Sequence, residues 1–228
     1  MQNVTDRIRN PFGMEPDCDR YVPGYGDANA DFHVIGDHPG IHGGIDSGVP
    51  FTGEPWSDAF LDALAAAGLV KRNAKATEHP DRDDVMAGDA TSVLPLDVRK
   101  TFLSYLHMCV PDGEPTADSY DDMEPFFDAE VRAIAAHVLM PVGARATGHV
   151  LRTYTARAWK TEVDMEALHA EELLGAGWLV LPIKDPAEWV EGDADRLVDA
   201  LDALQATDFR RESDLGRFIA GSDPYFVR

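Results

Sequence analysis

The segment from residue 36 to residue 53, which reads GDHPGIHGGIDSGVPFTG, carries the side chains of this chain that are best suited to chemistry. Two aspartates and two histidines lie between its glycines and prolines: Asp37, His38, His42 and Asp46. A carboxylate or a neutral imidazole acts as a general base near neutral pH, and glycines let a backbone approach a ligand closely. The segment therefore predicts a pocket in which Asp37, His38 or Asp46 acts directly on a bound molecule.

A metal site and a nucleotide site are two further uses of such a loop. His38 and His42 have a spacing that points both imidazoles at one metal ion when the backbone is helical. Pro39 and the glycines around it disfavour a helix, so we predict no metal ligands here. The loop also lacks the Gly-x-Gly-x-x-Gly and Gly-Lys-Thr/Ser patterns of dinucleotide and P-loop sites.

Apolar runs and helical patterns alternate on both sides of this loop. Strands are predicted near residues 32–35, 101–106, 138–142 and 178–182. Helices are predicted near residues 56–67, 125–136, 143–154, 164–174 and 194–204. Strands separated by helices favour a parallel sheet. The predicted fold class is α/β, a three-layer α/β/α sandwich with a central four-stranded parallel sheet. Loops that follow parallel strands meet at one edge of the sheet, and the site is expected there.

The remaining segments complete a single predicted domain over residues 1–228. An N-terminal arm with little regular structure is expected over residues 1–30, and a C-terminal helix and tail over residues 190–228. Residues 71–97 are polar and broken, with room for a short helix, and residues 111–125 are predicted to form an acidic loop.

The acidic composition bears on the partners and the surroundings of the chain. The 228 residues have a formal net charge of −21, with 28 Asp against 13 Glu and 15 Arg against 5 Lys. Such a surface repels nucleic acid in dilute salt, but at multimolar salt the screening length falls to about 3 Å or less. We therefore expect a cytoplasmic protein in the high-salt cytosol of a halophile, and the charge does not exclude a DNA partner. No apolar run is long enough to predict a membrane span, no apolar signal core is present, and a monomer is expected.

Two elements of the loop resemble the first motif of a known family. Gly36-Asp37-His38-Pro39-Gly40 and Gly48-Val49-Pro50-Phe51-Thr52-Gly53 are similar to that motif in the uracil-DNA glycosylase superfamily, and most to its thermostable iron–sulfur branch. The resemblance implies the same α/β/α layout. It also implies an enzyme that removes uracil or another damaged base from DNA by hydrolysing the N-glycosidic bond. The partner would be DNA with a flipped or single-stranded base.

The resemblance also assigns roles to single residues. Tyr105 stands where relatives have an asparagine that reads the uracil edge, and Asp185 stands where they have a histidine that stabilises the leaving anion. An ionised Asp185 would repel that anion, and Lys184 beside it should point the opposite way. The expected substrate-binding residues are Gly36, Pro39, Gly40, Phe51 (as the stacking ring), Tyr105 and Asp185. The expected catalytic residues are Asp37, His38 and Asp46.

The two cysteines bear on the cofactor. Relatives in the iron–sulfur branch hold their cluster with four cysteines. Cys18 and Cys109 stand at two of these positions, the second cysteine is absent, and Met123 stands near the position of the fourth. Two thiolates cannot hold a cluster that needs four cysteine ligands. We therefore expect a relative that has lost the iron–sulfur cluster and has no cofactor, with Cys18 and Cys109 as ordinary buried thiols.

Three functions remain open from the sequence. The first is a DNA glycosylase. The second is a non-catalytic or altered-specificity binder of a base, nucleotide or single-stranded nucleic acid, which the exchanged Tyr105 and Asp185 favour. The third is a hydrolase of free nucleosides or another small ligand. The enzyme is favoured if Asp46 or His38 shares a pocket of base size with the ring of Phe51. The binder is favoured if Tyr105 fills that pocket.

Overall fold

Eight strands form two sheets in the part of the chain that the structure describes. The computed structural model describes residues 8–72, 96–98, 100–155, 163–175 and 177–210. The strands are β1 (Tyr25–Gly26), β2 (Phe32–Gly36), β3 (Val70–Arg72), β4 (Leu96–Val98), β5 (Thr101–Tyr105), β6 (Val138–Pro141), β7 (Leu173–Leu174) and β8 (Leu179–Val180). The main sheet has the order β1-β5-β2-β6-β8-β7, and β3 and β4 form a separate antiparallel pair.

The centre of the main sheet confirms the predicted parallel arrangement. β5, β2, β6 and β8 are neighbours and run parallel, close to the four predicted positions. The sheet is larger than predicted, because β1 and β7 each add an antiparallel strand at an edge. Both edge strands have only two residues, which is too short for an alternating pattern to show in a sequence. The parallel core brings the segments that follow β5, β2, β6 and β8 to one edge.

Helices cover both faces of the main sheet, as predicted. They are α1 (Pro39–His42), α2 (Ser57–Ala66), α3 (Ala117–Ile134), α4 (Gly143–Thr153), α5 (Met165–Leu168) and α6 (Asp193–Gln205). Val34 of β2 packs in one buried cluster with Leu64 of α2 and with α6. Its neighbour Ile35 points to the other face and packs with Val150 of α4 and with α3. None of the helices in the described ranges is long and apolar enough to cross a membrane.

Three segments differ from their predictions. α3 begins at Ala117, inside the predicted acidic loop, because the side chain of Thr116 accepts a hydrogen bond from the N–H of Ser119 and caps the helix. The helix predicted over residues 164–174 is the short α5 followed by β7. The ends of the segment 71–97 contribute to β3 and β4, and the short helix considered for its middle falls on residues 73–95, outside the described residues.

A disulfide bond between Cys18 and Cys109 ties the N-terminal arm to the segment after β5. The prediction of two ordinary buried thiols is therefore wrong. The two cysteines are 91 residues apart, so their sequence positions alone do not show that they meet. They meet because Tyr21 forms an antiparallel bridge with Cys109, which lays the arm alongside the chain there.

Candidate active site

The loop after β2 begins with a single helical turn. α1 spans Pro39–His42, although its proline and glycines predicted that no helix forms here. His38 caps the turn, because its Nδ1 accepts a hydrogen bond from the N–H of Gly40 at 3.1 Å, and proline suits the first helical position. His42 instead accepts the N–H of Asp37, so the two rings bind different backbone groups. In the described ranges, no group of three or more His, Cys, Asp or Glu side chains could hold a metal ion.

Both carboxylate oxygens of Asp37 have a partner. The hydroxyl of Tyr120, on α3, donates a hydrogen bond to Oδ1, and Nε of Arg145, in the first turn of α4, lies 3.2 Å from Oδ2. The guanidinium also lies over the Tyr120 ring, with its Cζ 4.7 Å from the ring centroid. Burial, and then the bond to Asp37, raises the pKa of Tyr120, so its hydroxyl remains a donor at neutral pH. The carboxylate is thus held in one orientation beside a positive charge.

His38 adds a neutral hydrogen-bond donor beside Asp37. Burial lowers the pKa of His38, and the opposite effect of the Asp37 charge is smaller, so the ring is neutral at pH 7. Because Nδ1 already accepts the N–H of Gly40, the ring proton resides on Nε2. This arrangement makes His38 a donor and leaves Asp37 as the stronger candidate for a general base.

Asp37 and His38 line one open cavity of about 520 Å³ at the carboxyl ends of the parallel strands. Gly40 and Ile41 of α1, the segment 111–114 after β5 and Arg145 of α4 form the rest of its wall. A cavity of this size is in the range of small-molecule sites. A second cavity of about 140 Å³ is lined by Tyr120 together with residues of α3 and α4, but it contains neither Asp37 nor His38.

A second set of predicted site residues packs around His42 and is closed. Phe51 is fully buried, with its ring centroid 5.6 Å from that of His42 and 5.5 Å from that of Tyr105. Gly36 makes room for these rings, because a Cβ there would lie 2.7 Å from the Tyr105 ring and 2.8 Å from Nδ1 of His42. His42 therefore occupies the space beside the phenylalanine that the resemblance assigns to base stacking.

The hydroxyl of Tyr105 forms hydrogen bonds with the backbone of the loop. This oxygen accepts the N–H of Phe51 at 2.9 Å, and it lies 2.8 Å and 3.0 Å from the carbonyl oxygens of His42 and Gly43. Phe51 has a φ of 65°, a left-handed conformation that is uncommon for a residue with a side chain, and the hydrogen bond to Tyr105 holds it there. Burial raises the pKa of Tyr105, which keeps its proton. Tyr105 thus braces the loop and does not present its hydroxyl to the open cavity.

Asp185 lies against His42 at the same edge of the sheet. Its Oδ2 is 3.5 Å from Nε2 of His42, and its Oδ1 accepts the N–H of Ala187 at 2.9 Å. Lys184 points the other way, as the alternation along a strand predicts, and its Nζ lies 3.2 Å from Oδ2 of Asp193. Lys184 therefore gives Asp185 no counter-charge.

The structure separates the predicted site residues into an open group, a closed group and one outlying residue. Asp37, His38 and Gly40 line the open cavity, and Pro39 lies between them in α1. Phe51, Tyr105 and Asp185 surround His42 in the closed group, above Gly36. Asp46 is exposed in the turn that follows α1 and does not line the cavity.

Two residues that contact Asp37 were missed by the sequence analysis. Arg145 stands two positions after Gly143, where the third predicted strand ends, so its place at the site edge could have been inferred from topology. Tyr120 lies in the segment predicted as an acidic loop. Because the sequence analysis did not predict that α3 begins before this residue, it gave no reason to expect a contact between Tyr120 and Asp37.

The cysteines can be tested against the four-cysteine cluster of the iron–sulfur branch. Cys18 and Cys109 lie together, but their sulfurs are bonded to each other. Met123, near the expected position of another cluster cysteine, has its Sδ 3.6 Å from Sγ of Cys109. A thioether and a disulfide do not supply the thiolates that iron–sulfur clusters bind. These residues therefore do not fit the cluster.

Comparison with known proteins identifies the family. Residues 23–204 match the sequence profile of the uracil DNA glycosylase superfamily. The chain is 28% identical over 134 residues to a type-5 uracil-DNA glycosylase of Pyrobaculum aerophilum, across 58% of this chain and 53% of that protein. It is 29% identical over 147 residues to a type-5 uracil-DNA glycosylase of Mycobacterium leprae, across 63% of this chain and 58% of that protein. The chain thus spans little more than half the length of these curated relatives. Because the profile covers most of its residues, the chain belongs to the uracil DNA glycosylase superfamily.

Proposed function

We propose that this chain is a DNA repair glycosylase that hydrolyses the N-glycosidic bond of uracil or another damaged base in DNA. The observation that carries the proposal is the position of Asp37 and His38 in one open cavity at the carboxyl ends of the parallel strands. Membership of the superfamily supports it, as do the two similar proteins named type-5 uracil-DNA glycosylases.

The side chains of the open cavity fit the charges of this reaction. When the bond breaks, the sugar becomes positive and the base leaves as an anion. The carboxylate of Asp37 faces the sugar, stabilises the cation and takes a proton from the attacking water. Nε2–H of His38 donates a hydrogen bond to the bound substrate. Tyr120 holds Asp37 in the orientation that this role needs.

We also propose that this chain is a relative of the iron–sulfur branch and that it acts without a cluster. The disulfide between Cys18 and Cys109 and the thioether of Met123 support it, because neither is a cluster ligand. Stoichiometric iron and broad visible absorbance in protein purified without oxygen would contradict this part of the proposal.

DNA with a flipped or single-stranded base is the proposed partner, and a high-salt cytosol is the proposed surroundings. The net charge of −21 supports the second part, because such a surface approaches DNA only when salt screens the repulsion. We propose that the protein acts there as a monomer.

A binding module is the second candidate function. The observation that favours it is the closed group around His42, since Phe51 is fully buried and the ring of Tyr105 fills part of the same space. A base would have to displace His42 before it could stack on Phe51. In this alternative the chain holds a base or single strand without cleaving it.

Base release and binding, measured together in multimolar KCl, distinguish the two functions. The substrates are oligonucleotides with a single uracil, hypoxanthine or xanthine, and the matched control has thymine at that position. Release of one damaged base supports the glycosylase. Selective binding without release supports the module, and the absence of both release and binding contradicts both.

A further inference from the structure

We propose that Arg145 is a catalytic residue whose guanidinium stabilises the base as it leaves as an anion. This inference rests on the proposed glycosylase function and names the group that serves the leaving base. The resemblance assigns that role to a histidine, but this chain has Asp185 at the matching position. Asp185 is an acid and already contacts His42, so the positive or donor group must come from elsewhere.

Arg145 is placed to reach a bound base. It lies in the first turn of α4, directly after β6, and it is the basic residue of the cavity wall that also contains Asp37 and His38. Its side chain is 48% exposed, so a ligand in the cavity can touch it. Lys184, the cation next to Asp185 in the sequence, is buried and pairs with Asp193.

The guanidinium is held firmly but keeps hydrogen-bonding capacity. Its Nε lies 3.2 Å from Oδ2 of Asp37, its Nη2 lies 3.4 Å from Oε1 of Glu114, and its plane lies over the ring of Tyr120. Among the described residues no partner of Nη1 is found, so two N–H donors remain for a ligand. A planar fork held in this way suits an anion spread over neighbouring oxygen and nitrogen atoms.

The Asp37–Arg145 pair matches the charge separation of the reaction. The C1′–N bond breaks with both electrons going to the base, and the sugar carbon becomes positive. Water then adds to this carbon, its proton passes to Asp37, and the base anion takes up a proton, so that one water is consumed. A carboxylate and a guanidinium 3.2 Å apart present a negative and a positive charge to the two sides of that bond. His38 is neutral, and a neutral donor stabilises an anion less than a charged one does.

The dependence of the rate on the leaving base tests this assignment. Single-turnover release is measured at saturating protein from single-stranded oligonucleotides that contain uracil or 5-fluorouracil. Fluorine withdraws electrons and stabilises the departing anion, so this base needs less help to leave. We expect Arg145→Gln to slow uracil release about 100-fold and 5-fluorouracil release only about tenfold, with Arg145→Lys between Arg145→Gln and the wild type.

The control is Arg196→Gln on α6, which removes an exposed arginine that pairs with Glu171 and does not line the cavity. This variant should leave both rates unchanged. Equal losses for the two bases would overturn the assignment, because an arginine that only holds phosphate or Asp37 does not sense the leaving group. An unchanged uracil rate in Arg145→Gln would overturn it as well. A wild-type protein that releases neither base would contradict the proposed function itself, and the assignment with it.

Discussion

His42 and Asp185 face each other at the edge of the sheet, with Nε2 of the imidazole 3.5 Å from Oδ2 of the carboxylate. Nδ1 of the same ring accepts the backbone N–H of Asp37 at 2.9 Å, so Nε2 carries a proton, toward Asp185. Burial raises the pKa of Asp185, but His42 and the N–H of Ala187 together lower it by more, and the carboxyl stays ionised. Asp185, the acid at the position where the resemblance expects a histidine, therefore contacts a histidine of the glycine-rich loop instead.

The first prediction concerns the contribution of this contact to stability. Asp185→Ala removes the carboxylate that lies 3.5 Å from Nε2 of the buried His42, and we expect the free energy of unfolding to fall by about 1–3 kcal/mol. Asp185→Asn should cost less, because its amide oxygen still faces this nitrogen. Denaturant unfolding at constant salt measures both. The exposed Asp202→Ala on α6 is the control, and a loss of the same size there would contradict the explanation.

The second prediction concerns the brace between Tyr105 and the loop. Tyr105→Phe removes the acceptor of the Phe51 N–H and the donor to the carbonyl oxygens of His42 and Gly43. Since these groups are buried, the free energy of unfolding should fall by about 1–3 kcal/mol. Thermal unfolding compares this variant with Tyr21→Phe, which removes a hydroxyl outside the loop. Equal stability of Tyr105→Phe and the wild type would show that the hydroxyl does not hold the loop.

The third prediction concerns the disulfide bond between Cys18 and Cys109. It links residues 91 positions apart and so restricts the unfolded chain strongly. A reducing agent should lower the free energy of unfolding of the wild type by about 2–5 kcal/mol. A variant with Cys18→Ser and Cys109→Ser should match the reduced wild type and should not respond to the reductant. A wild type that is equally stable with and without reductant would contradict the bond or its contribution.

The fourth prediction concerns Glu130, a fully buried acid on α3. Neither of its carboxyl oxygens has a hydrogen-bond partner among the described residues, and burial raises its pKa from 4.5 to about 8. Between these two pH values the unfolded chain releases this proton and the folded chain keeps it. The stability that this proton contributes is thus fully present below pH 4.5. It is lost as the pH rises to about 8, by about 1.4 kcal/mol per pH unit.

Glu130→Gln removes this titration, so its stability relative to the wild type should increase with pH across that window and stay level below it. Denaturant unfolding at several pH values measures the difference. A difference between variant and wild type that does not depend on pH would contradict a protonated Glu130.

The parallel core and the edge that carries the site could be predicted from the sequence, because strong apolar runs mark β2, β5, β6 and β8. The pairing of side chains could not. Asp37 and Tyr120 meet only because Thr116 starts α3 early, and Cys18 meets Cys109 only because the arm runs beside it. The resemblance predicted Phe51 and Asp185 beside a bound base, whereas in the structure both lie beside the ring of His42. The orientation of that ring depends on a helical turn that its proline and glycines disfavoured.

Asp37 and Asp46, two acids of the same loop, distinguish the proposed site from its alternative. Asp37, the proposed catalytic carboxylate, lines the open cavity, and Asp46 is exposed outside it. The measurement is the single-turnover rate of uracil release from a single-stranded oligonucleotide in multimolar KCl by Asp37→Asn and by Asp46→Asn. We predict a loss of about 100-fold or more for Asp37→Asn and a rate close to that of the wild type for Asp46→Asn. Retention of activity in Asp37→Asn together with its loss in Asp46→Asn would show that Asp46, and not Asp37, is the catalytic carboxylate.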